Sequence, residues 1–339
     1  MKFDTWLLEH DLKAMPDLSQ KIEAMGFDGM WTAEAGNDAF FPLLLAAEHT
    51  ERVSLGTSIA TAFPRTPTIL AHIAWDLANY SNGRVILGLG AQVRAHNERR
   101  LGVKWEKPIR RMRETIEAMH ALWDSWQNGT RLRYEGEFFN LSLMTPFFAG
   151  KPLDVPRPPV YISAINRMML KLAGKVCDGA QLHPFHSVKY LKEFALPLIE
   201  EGLAVNGRSR SDFTANGSVF VIPTDGQVPA AKYEQHTRSQ MAFYMSTPAY
   251  RVVLEMHGWT EVSKQLGQLA RQGDWDAMPK LLTDEMMDTF SITGKWHELP
   301  QIAKERYDGI LDRLNFYLPY RPGEDDEGWA AAIAEFKSS

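Results

Sequence analysis

The side chains that could do chemistry in this chain stand just after short apolar runs. Glu9 and His10 follow residues 3–8, and Glu34 ends the run 27–34. Ser58 and Thr61 lie at the far end of 53–59, and Gln92 and Asn97 follow 85–90. Ser163 and Asn166 flank the end of 159–164, and His183 and His186 follow 179–182. His10, His183 and His186 are the groups expected to titrate near neutrality without a large shift. Glu34 becomes a proton donor if burial raises its pKa. Metal chemistry is disfavoured, because no two ligands stand at the spacing of a His-x-x-x-His helix and Cys177 is the single cysteine. No Gly-x-Ser-x-Gly elbow and no convincing phosphate loop is present. A site with hydrogen-bonding groups and no nucleophile suits chemistry carried by an organic cofactor, with the protein supplying orientation and proton management.

The elements that must position these groups are legible as alternating strands and helices. Ser81-Asn82-Gly83-Arg84 is a turn into Val85-Ile86-Leu87-Gly88-Leu89-Gly90, a strand covered on both faces, where Gly88 and Gly90 leave room for a close approach. Further strands are expected at 3–8, 27–34, 53–59, 159–164, 179–182, 218–222 and 313–318. Helices are expected at 16–25, where Pro16 suits the first turn and Gly26 the stop, and at 42–50 and 67–79. At 108–126, Ile109, Met112, Ile116, Met119, Trp123 and Trp126 recur every three or four residues. More helices are expected at 168–175, at 188–204 with an interruption near Pro197, and at 328–336. Residues 131–134 and 138–141 read as a small hairpin, and 146–159 as a proline-rich surface stretch. Residues 91–98 read as a polar loop, and 229–287 as an inserted helical region.

Strands regularly separated by helices predict an α/β protein, a single (β/α)8 TIM barrel over residues 1–339. The alternative is a doubly wound sheet. Gly88-x-Gly90 does not support it, because the third glycine of the dinucleotide fingerprint is missing. In a barrel, the residues named above all fall at the carboxyl mouth.

The chain has 339 residues and a formal net charge of −5, which argues against nucleic-acid and membrane-surface partners. The first residues carry no signal-peptide pattern and no run approaches the ~18 apolar residues of a membrane span. A cytoplasmic protein is the expectation.

Three ordered pieces resemble the bacterial-luciferase-like superfamily. They are Leu55-Gly56-Thr57-Ser58-Ile59-Ala60-Thr61, Pro64-Arg65-Thr66-Pro67, and the stretch from Ser81 to Gly90. Pro158-Pro159-Val160-Tyr161-Ile162-Ser163-Ala164 and Val176-Cys177-Asp178-Gly179 continue the match. The stretches from Gln92 to Arg100 and from Leu143 to Phe148 resemble its subgroup of deazaflavin (coenzyme F420)-dependent oxidoreductases.

The resemblance implies a barrel holding a flavin-type ring at its mouth, with Ser58-Ile59 as a non-prolyl cis peptide against the ring. It implies cofactor contacts at Thr61, Gly90, Gln92 and Asn97, and an acidic group at Glu34. It also implies phosphate positions near Ser163, Ala164 and Asn166 and at His183. Glu34 and His10 are the catalytic candidates. Arg65 and Arg94, with Arg99 and Arg100, are candidates to offset the cofactor's negative charge. The histidine that follows the strand-two acid in sugar-phosphate dehydrogenases of the group is Ala35 here, which speaks against oxidation of a sugar phosphate. The implied activity is hydride transfer between F420 and a small organic substrate, in a homodimer. The alternatives are an FMN-dependent monooxygenase and a cofactor- or ligand-binding barrel without turnover.

Overall fold

The computed structural model describes residues 1–7 and 11–338; Glu9 and His10 lie outside the described residues. Eight parallel strands close into a barrel: β1 (Lys2–Leu7), β2 (Gly29–Thr32), β3 (Ser54–Thr57), β4 (Val85–Gly90), β5 (Val160–Ala164), β6 (Gly179–Leu182), β7 (Thr214–Pro223) and β8 (Arg313–Phe316). Each pairs with its neighbours in chain order, and β8 returns to β1 through Lys2↔Arg313, Phe3↔Leu314 and Asp4↔Asn315. The expected (β/α)8 architecture is the one observed, with helices between successive strands around the outside.

The alternation of each strand sorts its residues between two cores. Phe3 faces the helical layer, where it packs on Phe316 and Phe336 at ring separations of 4.9 and 4.7 Å. Asp4 faces the opposite way, into the barrel, and there takes a bidentate ion pair from Arg313 (2.7 and 2.8 Å) and a hydrogen bond from Trp31 Nε1 (2.9 Å). Above that pair, Trp6, Trp31, Ile86 and Tyr161 form a separate apolar cluster inside the barrel, with Tyr317 packed on it. The interior has room for these large rings because β3 contributes Gly56: a Cβ there would stand 2.2 Å from the Trp31 ring.

Several expected elements differ in detail. Strand seven runs over Thr214–Pro223 rather than 218–222: its first four residues pair with β6, and its far end gains a further parallel partner, Ser291–Gly294. That four-residue edge strand directly follows a helix and carries no periodicity of its own. Residues Arg94–Arg99 form a short helix instead of a loop. The hairpin shrinks to Tyr134–Glu135 against Asn140–Leu141. The interruption near Pro197 is a π-helical stretch, Leu191–Ala195, which widens the turn before a residue that has no N–H to donate. The helical insertion comprises Ala230–Ser246, Arg251–Glu255, Thr260–Gln272 and Asp284–Phe290. Among the described residues no helix is long and apolar enough to cross a membrane.

Candidate active site

The site begins where β3 breaks. After Thr57 the chain passes through a cis peptide at Ser58–Ile59, as the resemblance implies, and re-forms a two-residue strand, Ala60–Thr61, against Leu89 and Gly90. Backbone bonds hold the irregular residues from both sides: Ser58 N–H donates to Thr32 O (2.7 Å) and Glu34 N–H to Ile59 O (3.2 Å). The Ile59 side chain lies over Gly90, where a Cβ would come within 2.5 Å of Ile59 Cδ1 and 3.1 Å of Ser163 Oγ. Glycine is therefore required there, and it brings β3, β4 and β5 together at one spot of the mouth.

Glu34 closes this region from the β2 side. Its carboxylate accepts from Thr61 N–H at 2.7 Å and from Arg65 at 2.8 and 3.1 Å, while the other arm of Arg65 reaches Asp38 at 2.9 Å. Both Glu34 oxygens are thus engaged, and the Arg65 charge is balanced within the protein by two carboxylates. Two buried polar atoms nearby have no protein partner among the described residues, Thr61 Oγ1 and Asn97 Oδ1. Asn97 uses its amide group on Ala91 O and Val93 O (2.8 and 3.1 Å), which curls the segment after β4 around it. Gln92 begins that curl at φ +58°, an uncommon conformation for a residue other than glycine and one concentrated at functional sites.

The opposite wall consists of aromatic groups. His183 Nδ1 accepts from Phe185 N–H (3.1 Å), so Nε2 carries the proton and donates to the Tyr250 hydroxyl (3.0 Å). Tyr244 meets the His183 ring edge-on and shares a 2.6 Å hydroxyl–hydroxyl bond with Tyr317, and Tyr317 stacks on Trp6 at 4.9 Å. The helix Ala230–Ser246 carries Tyr244, so the insertion is fastened to the barrel through this contact. Asn166 adds a second fastening, from Nδ2 to Ala249 O at 3.2 Å, just before the helix Arg167–Val176.

His183 and His186 do not titrate near neutrality, contrary to the expectation from their type. Burial pushes His183 down to about 3, with His186 adding to the effect. Burial pushes His186 down to about 4, against the opposing effect of its 2.7 Å bond to His183 O. At pH 7 His183 offers a hydrogen bond and no charge. The consequence for stability has a definite sign. The unfolded rings take up protons below about pH 6.5 and the folded rings resist until about 3–4, so protonation favours the unfolded chain throughout that window. Urea midpoints should fall as the pH drops from 7 to 5.5, with the pair removing about 2 kcal/mol. A His183→Gln, His186→Gln variant should show a correspondingly flatter profile over the same interval. An unchanged slope would assign the acid sensitivity to other groups.

The remaining expected residues are spread more widely. Ser163 and Ala164 lie at the end of β5 beside Gly90. Arg94 is exposed on the short helix and paired with Glu98 at 3.1 Å, and Arg100 reaches Ala35 O at 3.3 Å. Trp6, Tyr244, Tyr250 and Tyr317 were not among the expected site residues. For Trp6 and Tyr317, strand parity was the available signal: each lies two residues beyond an inward polar residue, Asp4 and Asn315. Tyr244 and Tyr250 carry no such signal.

Among the described residues no group of three His, Cys, Asp or Glu could hold a metal ion. The donor set suits a flat heteroaromatic ring instead: a hydroxyl and an amide oxygen left without partners, beside the aliphatic side chain of Ile59 seated on Gly90.

A family model described as "Luciferase-like monooxygenase" matches residues 1–312. Uncharacterized protein Rv1360 of Mycobacterium tuberculosis is 44% identical over 330 residues, spanning 97% of this chain and 96% of that protein. The 5,10-methylenetetrahydromethanopterin reductase of Archaeoglobus fulgidus is 32% identical over 303 residues, 86% of this chain and 82% of that protein. Among solved structures, the coenzyme F420-dependent tetrahydromethanopterin reductase of Methanopyrus kandleri superposes with a TM-score of 0.76 at 24% identity, covering 98% of this chain and 97% of that one.

Proposed function

Because this chain belongs to the luciferase-like monooxygenase family, we propose that it is an F420-dependent oxidoreductase moving a hydride between the deazaflavin and a small organic substrate. The observation that carries this reading is the pair of buried, unpartnered oxygens, Thr61 Oγ1 at the end of the broken third strand and Asn97 Oδ1 in the segment after β4. Buried polar atoms without partners are rare in folded proteins and call for a bound group that satisfies them. The archaeal reductase relative and the F420-dependent fold neighbour support a reductase within the family.

When bound, the deazaflavin supplies two-electron hydride chemistry with little reactivity toward oxygen. The chain's own residues divide the other tasks. Thr61, Asn97 and Ser163 would hold the ring edge, with Gly90 and Ile59 fixing its depth. Backbone N–H groups at the start of Arg167–Val176, beside Ala164 and Asn166, would receive the phosphate. Neutral His183 would bring no charge there, and its one N–H is given to the Tyr250 hydroxyl. Trp6, Tyr244 and Tyr317 exclude water from one side of the mouth. Glu34 holds Thr61 in place.

A second reading, an FMN-dependent monooxygenase, draws on the description of the family itself. Titration of the purified protein with each cofactor, followed by cofactor fluorescence, separates the two. F420 should bind at least about tenfold more tightly than FMN, a difference of ~1.4 kcal/mol. Tighter binding of FMN, with oxygen consumption in the presence of a reductant, would replace the first reading by the second.

A further inference from the structure

A cleft of about 240 Å³ lies beside the barrel mouth, between the helix Ala230–Ser246 and the segment that follows β8. Its inner surface includes Trp6 and Trp329, 9% and 2% exposed, and its outer rim carries Lys232, His236 and Arg321. Trp6 belongs to both places. It stacks on Tyr317 in the wall of the mouth and also lines the cleft, so the cleft is separated from the mouth by a single side chain.

Two buried polar atoms of lining residues have no partner among the described residues: Trp6 Nε1, a donor, and Gln240 Oε1, an acceptor. An indole N–H enclosed in this way normally finds an acceptor. The lining carries two cations, Lys232 and Arg321, and one carboxylate, Glu324, so one positive charge is in excess. Lys232 makes no ion pair among the described residues, and Arg321 meets only Glu324, at 3.7 Å between exposed side chains. Burial, with the Arg321 charge beside it, pushes His236 below its ordinary value, so its ring is a neutral hydrogen-bonding group at pH 7. In a chain of net charge −5 this is a single excess positive charge over an aromatic floor.

We propose that this cleft is a substrate-side subsite for an organic carboxylate whose flat body carries an acceptor for Trp6 Nε1 and a donor for Gln240 Oε1, with the carboxylate at Lys232 and Arg321. The assignment rests on the reading of the chain as an oxidoreductase with its reaction centre at the mouth, since it gives the cleft its role as the neighbouring compartment. A carboxylate could also come from the acidic tail of F420, and the test separates the two sources.

The probe is hippurate, whose amide offers an acceptor and a donor beside its ring, with its neutral carboxamide as control. Binding is followed by calorimetry and by the Trp6 indole N–H resonance in protein labelled at tryptophan, identified through Trp6→Phe. No turnover is needed, so the cleft is tested even if the protein binds no F420. The carboxylate should shift the Trp6 resonance and bind about tenfold more tightly than the carboxamide, with the difference shrinking at high salt. Lys232→Ala combined with Arg321→Ala, both on the exposed rim, should remove that tenfold preference and leave carboxamide binding within about twofold. Saturating F420 should leave the carboxylate affinity unchanged. Equal binding of acid and amide, a Trp6 resonance that does not move, or absence of binding at millimolar probe would overturn the proposal. Displacement of the probe by F420 would assign the cleft to the cofactor's tail and overturn it equally.

Discussion

Replacing Glu34 by Ala should lower kcat/KM by about 100-fold or more, an effect of ~3 kcal/mol. The carboxylate is the group through which β2 fixes the irregular end of β3, accepting from Thr61 N–H and from Arg65. Its removal leaves a backbone donor without its acceptor and leaves a guanidinium, 17% exposed, with Asp38 as its only carboxylate. Each such loss costs about 1–3 kcal/mol, and a misplacement of ~1 Å at a reaction centre can cost ~10²-fold. Glu34→Gln tells positioning from proton transfer. The amide oxygen can still accept from Thr61 N–H. If Glu34 positions the site, Gln recovers about tenfold or more of the Ala loss. Cofactor affinity then falls in both variants, and the pH profile keeps its shape. If Glu34 carries the proton, Gln is as poor as Ala, affinity stays within a few-fold, and one limb of the profile disappears. With both oxygens already engaged, the positioning outcome is expected. Parental turnover in Glu34→Ala would remove the residue from both roles.

Asp4→Asn should have the largest effect on stability. Asp4 is fully buried and Arg313 is 4% exposed, and the carboxylate meets the guanidinium in two bonds while also accepting from Trp31. Removing the negative charge leaves an uncompensated cation inside the barrel, which costs about 3–5 kcal/mol. The urea midpoint should drop accordingly, with cofactor affinity of the folded fraction changed little, since the pair lies at the opening strand positions, Asp4 and Arg313, and away from the carboxyl mouth. Asp4→Leu with Arg313→Met should recover much of the loss, because replacing both partners by apolar groups avoids the stranded charge. If Asp4→Asn unfolds at the parental midpoint, water or another group compensates Arg313.

Much of this architecture was legible because it is written locally. Val85 to Gly90 could be read as a covered strand from its aliphatic run between Asn-Gly and Gly, and Pro108–Asn128 as a helix from the three-and-four spacing of its apolar residues. Counting such segments predicted the barrel, and the barrel placed Glu34, Thr61, Asn97, Ser163 and His183 near its carboxyl end. The Ser58–Ile59 element was legible only through resemblance, since nothing in the composition of Gly-Thr-Ser-Ile specifies it. The edge strand Ser291–Gly294 was not legible, because four residues next to a helix have too short a period to register and the pairing with β7 is supplied from elsewhere.

By itself, then, the sequence determined the order and kind of the elements and the residue types presented at the strand ends. Each of those depends on a segment's own pattern of burial. Tertiary structure alone decided the state of those residues. His183 has the pKa of an ordinary imidazole until Tyr244 and Tyr250, about sixty residues further along, close over it and exclude water. Arg65 is a free cation in the sequence and a neutralised strut in the fold, because Glu34 and Asp38 arrive from another strand end. Trp6 becomes a shared wall only when Tyr317 stacks on it from the far end of the chain. Protonation, ion pairing and accessibility are set by which groups lie within a few ångströms and by how much solvent remains between them. Separation along the chain carries no information about either.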